Sequence, residues 1–235
     1  MEKRKVILRN QLGNSWYKAL EEHLESEWFI KLEADVAARR LDTDNVVSPT
    51  EDKVYQAFRL CPLEDTKVVI IGELPSQFSV LADGLAFSSD DPFDYHEGQK
   101  VIFSEMDRDI YGGASIPREK SLVKLAIQGV MLLNIHLTSE RDRKSHTRLG
   151  WSKLTLRAIK MLAEDDSPKV FMTWGSTATK ALALATKGLE HSHVILAANS
   201  PIAAEEKEGE GFIGSGVFSK CNGILRAKCY TEIDW

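Results

Sequence analysis

The chain is short of the residues that mark several protein classes. Only three cysteines occur in 235 residues. Cys61, Cys221 and Cys229 are an odd number and widely spaced, with no Cys-x-x-Cys pair and no Cys/His cluster. This excludes a disulfide scaffold and offers no zinc-binding spacing, so no metal is expected. Three reduced thiols in a reducing intracellular compartment, cytoplasm or nucleus, are the simplest reading. Proline (7) and glycine (15) are too scarce for a collagen-like or linker-like chain. No run of 18 apolar residues exists, so no spanning helix and no membrane partner are expected. The Val6-Ile7-Leu8 piece behind the basic start Met1-Glu2-Lys3-Arg4-Lys5 is too short for the apolar stretch of a secretion signal. Lys plus Arg is 30 and Asp plus Glu 35, a net charge of −5. The chain is therefore not coated in positive charge, although a local basic patch depends on where the charges sit.

What is present is an ordinary globular composition, 43% hydrophobic and 28% charged, long enough to bury a substantial core. Residues 1–235 read as a single domain, with no internal repeat or low-complexity linker. Four short apolar runs stand out: Lys67-Val68-Val69-Ile70-Ile71, Val130-Met131-Leu132-Leu133, Val170-Phe171-Met172-Thr173 and Val194-Ile195-Leu196-Ala197. Each is followed by a polar or glycine turn, the pattern of strands buried on both faces. Helix-length patterns alternate with them. Ser48-Pro49-Thr50-Glu51 reads as a helix start, with Ser at the N-cap, Pro at the first position and Glu at the third, continuing to about Leu60. Trp151 to Leu162 carries one apolar face, and Thr177 to Lys187 ends before Gly188. The alternation predicts an α/β fold: a central four-stranded, parallel, twisted sheet with helices on both faces. In such sheets ligands bind beyond the carboxyl ends of the strands.

The residues that follow the strands are Gly72-Glu73-Leu74-Pro75-Ser76 and Gly84-Leu85-Ala86-Phe87-Ser88 after the first, and Asn134 after the second. Trp174-Gly175-Ser176 follows the third, and Asn199-Ser200-Pro201-Ile202-Ala203 the fourth. With Ser15-Trp16, Ser145-His146, Gly150-Trp151, Phe218-Ser219-Lys220 and the final Ile233-Asp234-Trp235, these resemble the family 1 uracil-DNA glycosylases over nearly the whole chain. The resemblance implies an enzyme fold that flips uracil out of DNA and cleaves the bond between base and sugar, without a cofactor. It also implies a carboxylate after the first strand that positions water and faces the cationic sugar. A histidine after the fourth strand would bond the leaving base; such preorganised charge supplies most of the rate.

At both places this sequence departs from the family. Leu74 stands at the carboxylate position and Asn199 at the histidine position. Glu73 is adjacent, but a one-residue shift misses the geometry a general base needs. The base pocket is better kept. Asn134 matches the reader of the uracil edge, or is a turn-capping amide; Phe87 matches the stacking ring, or is core packing. Ser76 replaces the tyrosine that excludes a 5-methyl group, which opens that wall to 5-substituted pyrimidines.

Gly175 and Ser176 match a loop that touches phosphate, or simply cap a helix. Arg141, Arg143, Lys144 and Arg148, with His146, form the densest basic cluster and the best candidate for DNA backbone contact, or else a basic surface loop without a partner, in which His146 serves structure only. Ser200, Pro201, Ile202 and Ala203 match the intercalation loop, whose leucine corresponds to Ala203 without a gap, too small a wedge to hold a base out of the stack, or to Ile202 with a one-residue gap. Asp94-Tyr95-His96-Glu97-Gly98 replaces the family's proline-rich loop. Beyond Ala203 lies an acidic insertion, Glu205-Glu206-Lys207-Glu208-Gly209-Glu210, that reads as a solvated tip or as repulsive to phosphate.

Three functions follow. The first is a homologue without glycosylase activity that serves as a DNA-binding accessory, with single- or double-stranded DNA and a replication or repair protein as partners. The second is a weak glycosylase of altered specificity for a 5-substituted uracil. The third is a protein-interaction scaffold that no longer binds DNA.

Overall fold

The structure is a computed structural model, and it describes residues 2–42, 46–76, 82–90, 97–140, 146–202 and 211–235. Three helices come first: α1 (Glu2–Leu12), α2 (Asn14–Leu24) and α3 (Glu27–Arg40). A 3-10 turn (Glu51–Lys53), α4 (Gln56–Leu60) and a second 3-10 turn (Leu63–Asp65) lead into β1 (Val68–Gly72). There follow α5 (Glu97–Ile110), α6 (Val123–Ala126), β2 (Val130–Asn134), α7 (Trp151–Glu164), β3 (Val170–Trp174), α8 (Ser176–Ala185), β4 (Val194–Ala198) and α9 (Val217–Ala227).

All four strands pair in parallel in the order β2-β1-β3-β4, the α/β architecture that the apolar runs predict. Every residue of β1, β2 and β3 is buried, as Val, Ile, Leu and Met in strands covered on both faces require. β4 departs from that expectation. It is an edge strand, its residues alternate between half-buried and exposed, and Ile195 keeps 48% of its surface in solvent.

The helix expected from Ser48 is also replaced. Ser48 forms an isolated bridge with Ser139: its N–H donates to the Ser139 carbonyl at 2.8 Å, and its own carbonyl accepts from Ser139 N–H at 2.9 Å. Its backbone is thus extended, the Ser48–Pro49 bond is cis, and Arg40 Nη2 donates to the Pro49 carbonyl at 2.6 Å. Helical structure begins only at Glu51 and breaks before Gln56. The other two helices stand close to their expected spans. α7 buries Trp151, Leu154, Ala158, Ile159 and Leu162 along one face, the i, i+3/i+4 stripe of a core-facing helix.

Buried polar side chains knit the elements together. Trp16 Nε1 donates to the Cys61 carbonyl at 2.8 Å and fastens α2 to the segment after α4. Glu105, enclosed on α5, accepts from the N–H groups of Gly214 and Gly216 at 2.7 Å each, and from Arg108. Burial alone would raise its carboxyl. The Arg108 and backbone donors outweigh burial and hold the group below its usual range. Asp109, one turn on, caps α9 through the N–H groups of Phe218 and Ser219. Asn222 brackets Ile233 through both its N–H and its carbonyl, and Gln128 does the same for Asp234. Cys61 and Cys221 are buried free thiols raised to about 11 and about 12 by desolvation, and Cys229 is exposed.

Two histidines are built into this packing. His193 Nδ1 accepts from Lys169 N–H at 3.1 Å, so the proton sits on Nε2, which faces the Ala163 carbonyl at 3.1 Å. His146 Nδ1 lies 2.8 Å from the Thr138 hydroxyl, which itself accepts from Trp151 Nε1 at 2.7 Å. Burial holds both imidazoles below the ordinary 6.5, in His146 despite Glu140 beside it. A group whose folded pKa is depressed takes its proton more readily in the unfolded chain. Its contribution is therefore complete above pH 6.5 and is lost as pH falls through that value towards the folded pKa. The denaturant midpoint is expected to fall between pH 7.5 and 5.5, and to fall less in His193→Asn, which keeps an acceptor but does not titrate. An unchanged midpoint across that range contradicts this account.

Candidate functional site

The site is built around a missing side chain. Gly72 ends β1, paired with Asn134 at the end of β2. The same row continues to Trp174 on β3, which is paired with Ala198 on β4. Residues in one row of a parallel sheet point to the same face, so Asn134 and Trp174 stand on either side of a bare backbone. A Cβ placed on Gly72 would lie 2.3 Å from Asn134 Oδ1 and 2.8 Å from Ala86 Cβ. The Asn134 side chain therefore lies over Gly72. It is 3% exposed, and among the described residues its amide makes no hydrogen bond. A buried amide left open in this way is a donor–acceptor pair available to a planar polar partner.

Phe87 lies beside Trp174. Its ring meets Trp174 at 5.0 Å between centroids with a 52° tilt, and Trp174 in turn packs edge-on against Phe212 at 4.9 Å. Phe87 is half-buried and packs against the core. Its φ is +62°, unusual for an aromatic residue. The loop that imposes this is fixed by Asp83, which accepts from Leu85 N–H at 3.1 Å and from the Ser121 hydroxyl at 3.0 Å, and is also bonded by the Ser88 hydroxyl. Gln99 Nε2 donates to the Phe87 carbonyl at 3.0 Å. Burial raises the Asp83 carboxyl, partly offset by these bonds. Both Asp83 oxygens are thus occupied within the loop.

Leu74 is half-buried and Glu73 exposed. The Gly72 and Glu73 carbonyls accept from Ile135 and His136 N–H at 2.9 Å each, which extends the β1–β2 pairing beyond the strands. His136 is partly buried, with Nδ1 unpaired and its pKa lowered by desolvation against the opposing charge of Glu73. Ser76 is half-buried and its carbonyl accepts from the Ser139 hydroxyl at 3.3 Å.

On the other flank, Gly175 has φ +86° and precedes α8; a Cβ there would meet Ser200 Cβ at 2.9 Å. Its N–H donates to the Ala198 carbonyl at 2.9 Å. Ser176 is exposed at the first turn of α8, where free N–H groups favour an anion. Asn199 is exposed and Pro201 buried; Ile202 is 66% exposed and leans on Gly98 at the start of α5.

The strand ends thus bring together Glu73, Leu74, Ser76, Phe87, Asn134, Gly175, Ser176, Asn199 and Ser200–Ile202. His146 is a correction. It is fully enclosed, bonded to Thr138, with Nε2 3.2 Å from Glu140 Oε2 but out of line for a hydrogen bond. It holds the core and presents nothing to a phosphate. Arg148 is exposed. Arg141, Arg143, Lys144, Ala203, the acidic insertion and Asp94-Tyr95-His96 lie outside the described residues.

Sequence reasoning missed the parts played by Gly72, Asp83, Gln99 and Trp174. Asp83-Gly84 is a legible turn signal, since an Asp side chain bonds the backbone two residues on. Gln99 carries no such signal. Among the described residues no group of three or more His, Cys, Asp or Glu is placed to hold a metal ion, and no helix is long and apolar enough to cross a membrane.

Comparison with known proteins bears on the family and the fold. The chain is 36% identical over 228 residues to a uracil-DNA glycosylase of Phocaeicola vulgatus, covering 96% of this chain and 99% of the relative. It is also 36% identical over 232 residues to one of Bacillus cereus (strain AH187), covering 97% and 98%. The solved mimivirus uracil-DNA glycosylase superposes with a TM-score of 0.79 at 19% identity, over 95% of this chain and 86% of that one. No family model matches. On the strength of the full-length relatives, the chain belongs to the uracil-DNA glycosylase family.

Gly72→Ala tests the geometry of the pocket. The added methyl would displace Asn134 or the Ala86 backbone, an overpacking cost of about 1–3 kcal/mol. A denaturant titration should show that loss, with a change at Asn134 in the side-chain amide NMR signals; a neutral variant rules the close approach out.

Proposed function

We propose that the protein engages DNA and reads an extruded base through Asn134 and Phe87, but cleaves the glycosidic bond poorly or not at all, acting as an accessory in replication or repair. The observation that carries this reading is Leu74, an aliphatic side chain two residues beyond β1, at the position where the resemblance calls for a carboxylate. The acids nearby are poor substitutes. Asp83 is 1% exposed with its oxygens committed to Leu85, Ser88 and Ser121, and Glu73 is solvent-exposed. Asn199 can donate a hydrogen bond to a leaving base but carries no imidazole. Loss of one such preorganised group typically costs a factor of about 10²–10³ in rate, and two losses within one machinery need not add. The unbonded Asn134 amide and the exposed start of α8 support retained contact with a base and a phosphate.

A second reading is a slow glycosylase with a widened pocket. It is favoured by relatives named for the activity at 36% identity and by Ser76, whose short side chain leaves room beside a 5-substituted pyrimidine.

One set of assays separates the two. With single-stranded uracil DNA at high protein concentration, the first reading expects no abasic sites, together with binding that weakens as salt rises. The double variant Leu74→Asp with Asn199→His is expected to gain measurable uracil excision. Excision by the unaltered chain, on uracil or on a 5-substituted base, overturns the first reading in favour of the second. Absence of DNA binding at any salt leaves a scaffold that has given up nucleic acid.

A further inference from the structure

Gln99 lies in the first turn of α5 and is 1% exposed. Its Nε2 donates to two carbonyls, that of Phe87 at 3.0 Å and that of Lys120 at 2.6 Å. Carbonyls only accept, so the nitrogen and not the oxygen must face them. Its Oε1 is left buried with no hydrogen-bond partner. An unpaired buried acceptor is costly. An apolar side chain of the same length would avoid that cost, but it could clasp neither carbonyl.

What the two donors hold is a strained turn. Phe87 has φ +62°, a left-handed backbone that residues with a side chain rarely adopt. The residues around it are tied by other bonds. Ala86 N–H donates to the Leu132 carbonyl at 3.0 Å, and Ser89 N–H to the Lys120 carbonyl at 3.3 Å. Asp83 fixes the start of the loop through Leu85 N–H and the Ser88 and Ser121 hydroxyls. None of these bonds reaches the Phe87 carbonyl; Gln99 does. Ring and carbonyl leave the same backbone unit, so a bond that fixes the carbonyl limits where the ring can point. Gly98, on the same turn of α5, lies against Ile202. The turn that clasps the Phe87 loop therefore also supports the exposed rim at residues 199–202.

We infer that Gln99 is a positioning residue for base recognition: it selects the left-handed conformer of Phe87, and with it the angle at which the ring meets an extruded base. The inference rests on the reading of Phe87 and Asn134 as the base contacts. Gln99 is itself enclosed and acts through Phe87. Without the clasp, the chain loses part of its preference for a base over an empty position in the strand.

Two measurements on the full chain test this. The first is fluorine NMR of the chain labelled with para-fluorophenylalanine, the Phe87 signal being the one missing from Phe87→Leu. Gln99→Met, similar in length but without a donor, should move or split that signal. The second is binding to single-stranded DNA with one central position changed. That position carries either deoxyuridine fluorinated on the sugar, which resists cleavage, or an abasic analogue. The parent chain should prefer the base. Gln99→Met should reduce that preference about five-fold, while the salt dependence of binding stays that of the parent. On a Phe87→Leu background the same substitution should reduce it no further, because the two residues act as one unit. Should Gln99→Met fail to fold, Gln99→Asn, an amide one methylene too short to span both carbonyls, takes its place. An unmoved Phe87 signal, a preference that survives the substitution, or a full further loss without Phe87 overturns the inference alone. A parent chain with no preference for the base overturns the base-reading function and this inference together.

Discussion

The close approach of Asn134 to the backbone of Gly72 is the contact on which the strand-end site depends. A side chain on that residue would occupy the space the amide now fills, and the row from Asn134 to Trp174 would lose its opening. Three fully buried strands in parallel register fix the row. The apolar packing that stabilises the sheet therefore also sets the spacing of the polar and aromatic groups at its carboxyl end.

Around that row the molecule uses carboxylates as fasteners for its loops. Asp83 shapes the loop that carries Phe87, Glu105 gathers the segment at Gly214–Gly216, and Asp109 caps the helix after it. Each accepts from backbone N–H groups, so each acid is consumed in holding a loop.

Much of the fold was legible from residues alone. β1, β2 and β3 announce themselves as short Val, Ile, Leu and Met runs, and α7 by its apolar stripe. β4 has the same composition, but burial depends on which neighbours cover a strand, and an edge position cannot be read from five residues. Ser48-Pro49-Thr50-Glu51 carries every local mark of a helix start. It is overruled by a long-range bridge to Ser139, a tertiary effect invisible in a local window. α1 is hard to read because it mixes exposed Val6 and Ile7 with buried Leu8 and Leu12 and has no clean apolar face, whereas α2 does carry a legible stripe in Trp16, Tyr17, Leu20 and Leu24. For the site, the residues that follow the strands were identifiable by position. Of its two readings His146 takes the structural one, and the choice is not legible because a basic neighbourhood in sequence says nothing about a side chain that turns inward. Gly72 and Gln99 act only through what approaches them in space.

α5 has a role that its sequence does not advertise. Ile202 rests on its first turn at Gly98, while Gly214 and Gly216 are held by Glu105 seven residues further along, about 10 Å at helical rise. The chain on either side of residues 203–210 is therefore pinned to a single rigid rod, at two points much closer together than that length of chain can reach. Closure entropy grows only with the logarithm of loop length, so this rod makes the junction a natural place for evolution to splice in or trim residues. The sheet need not register the change, and the exposed rim can be rewritten while the strand ends stay as they are.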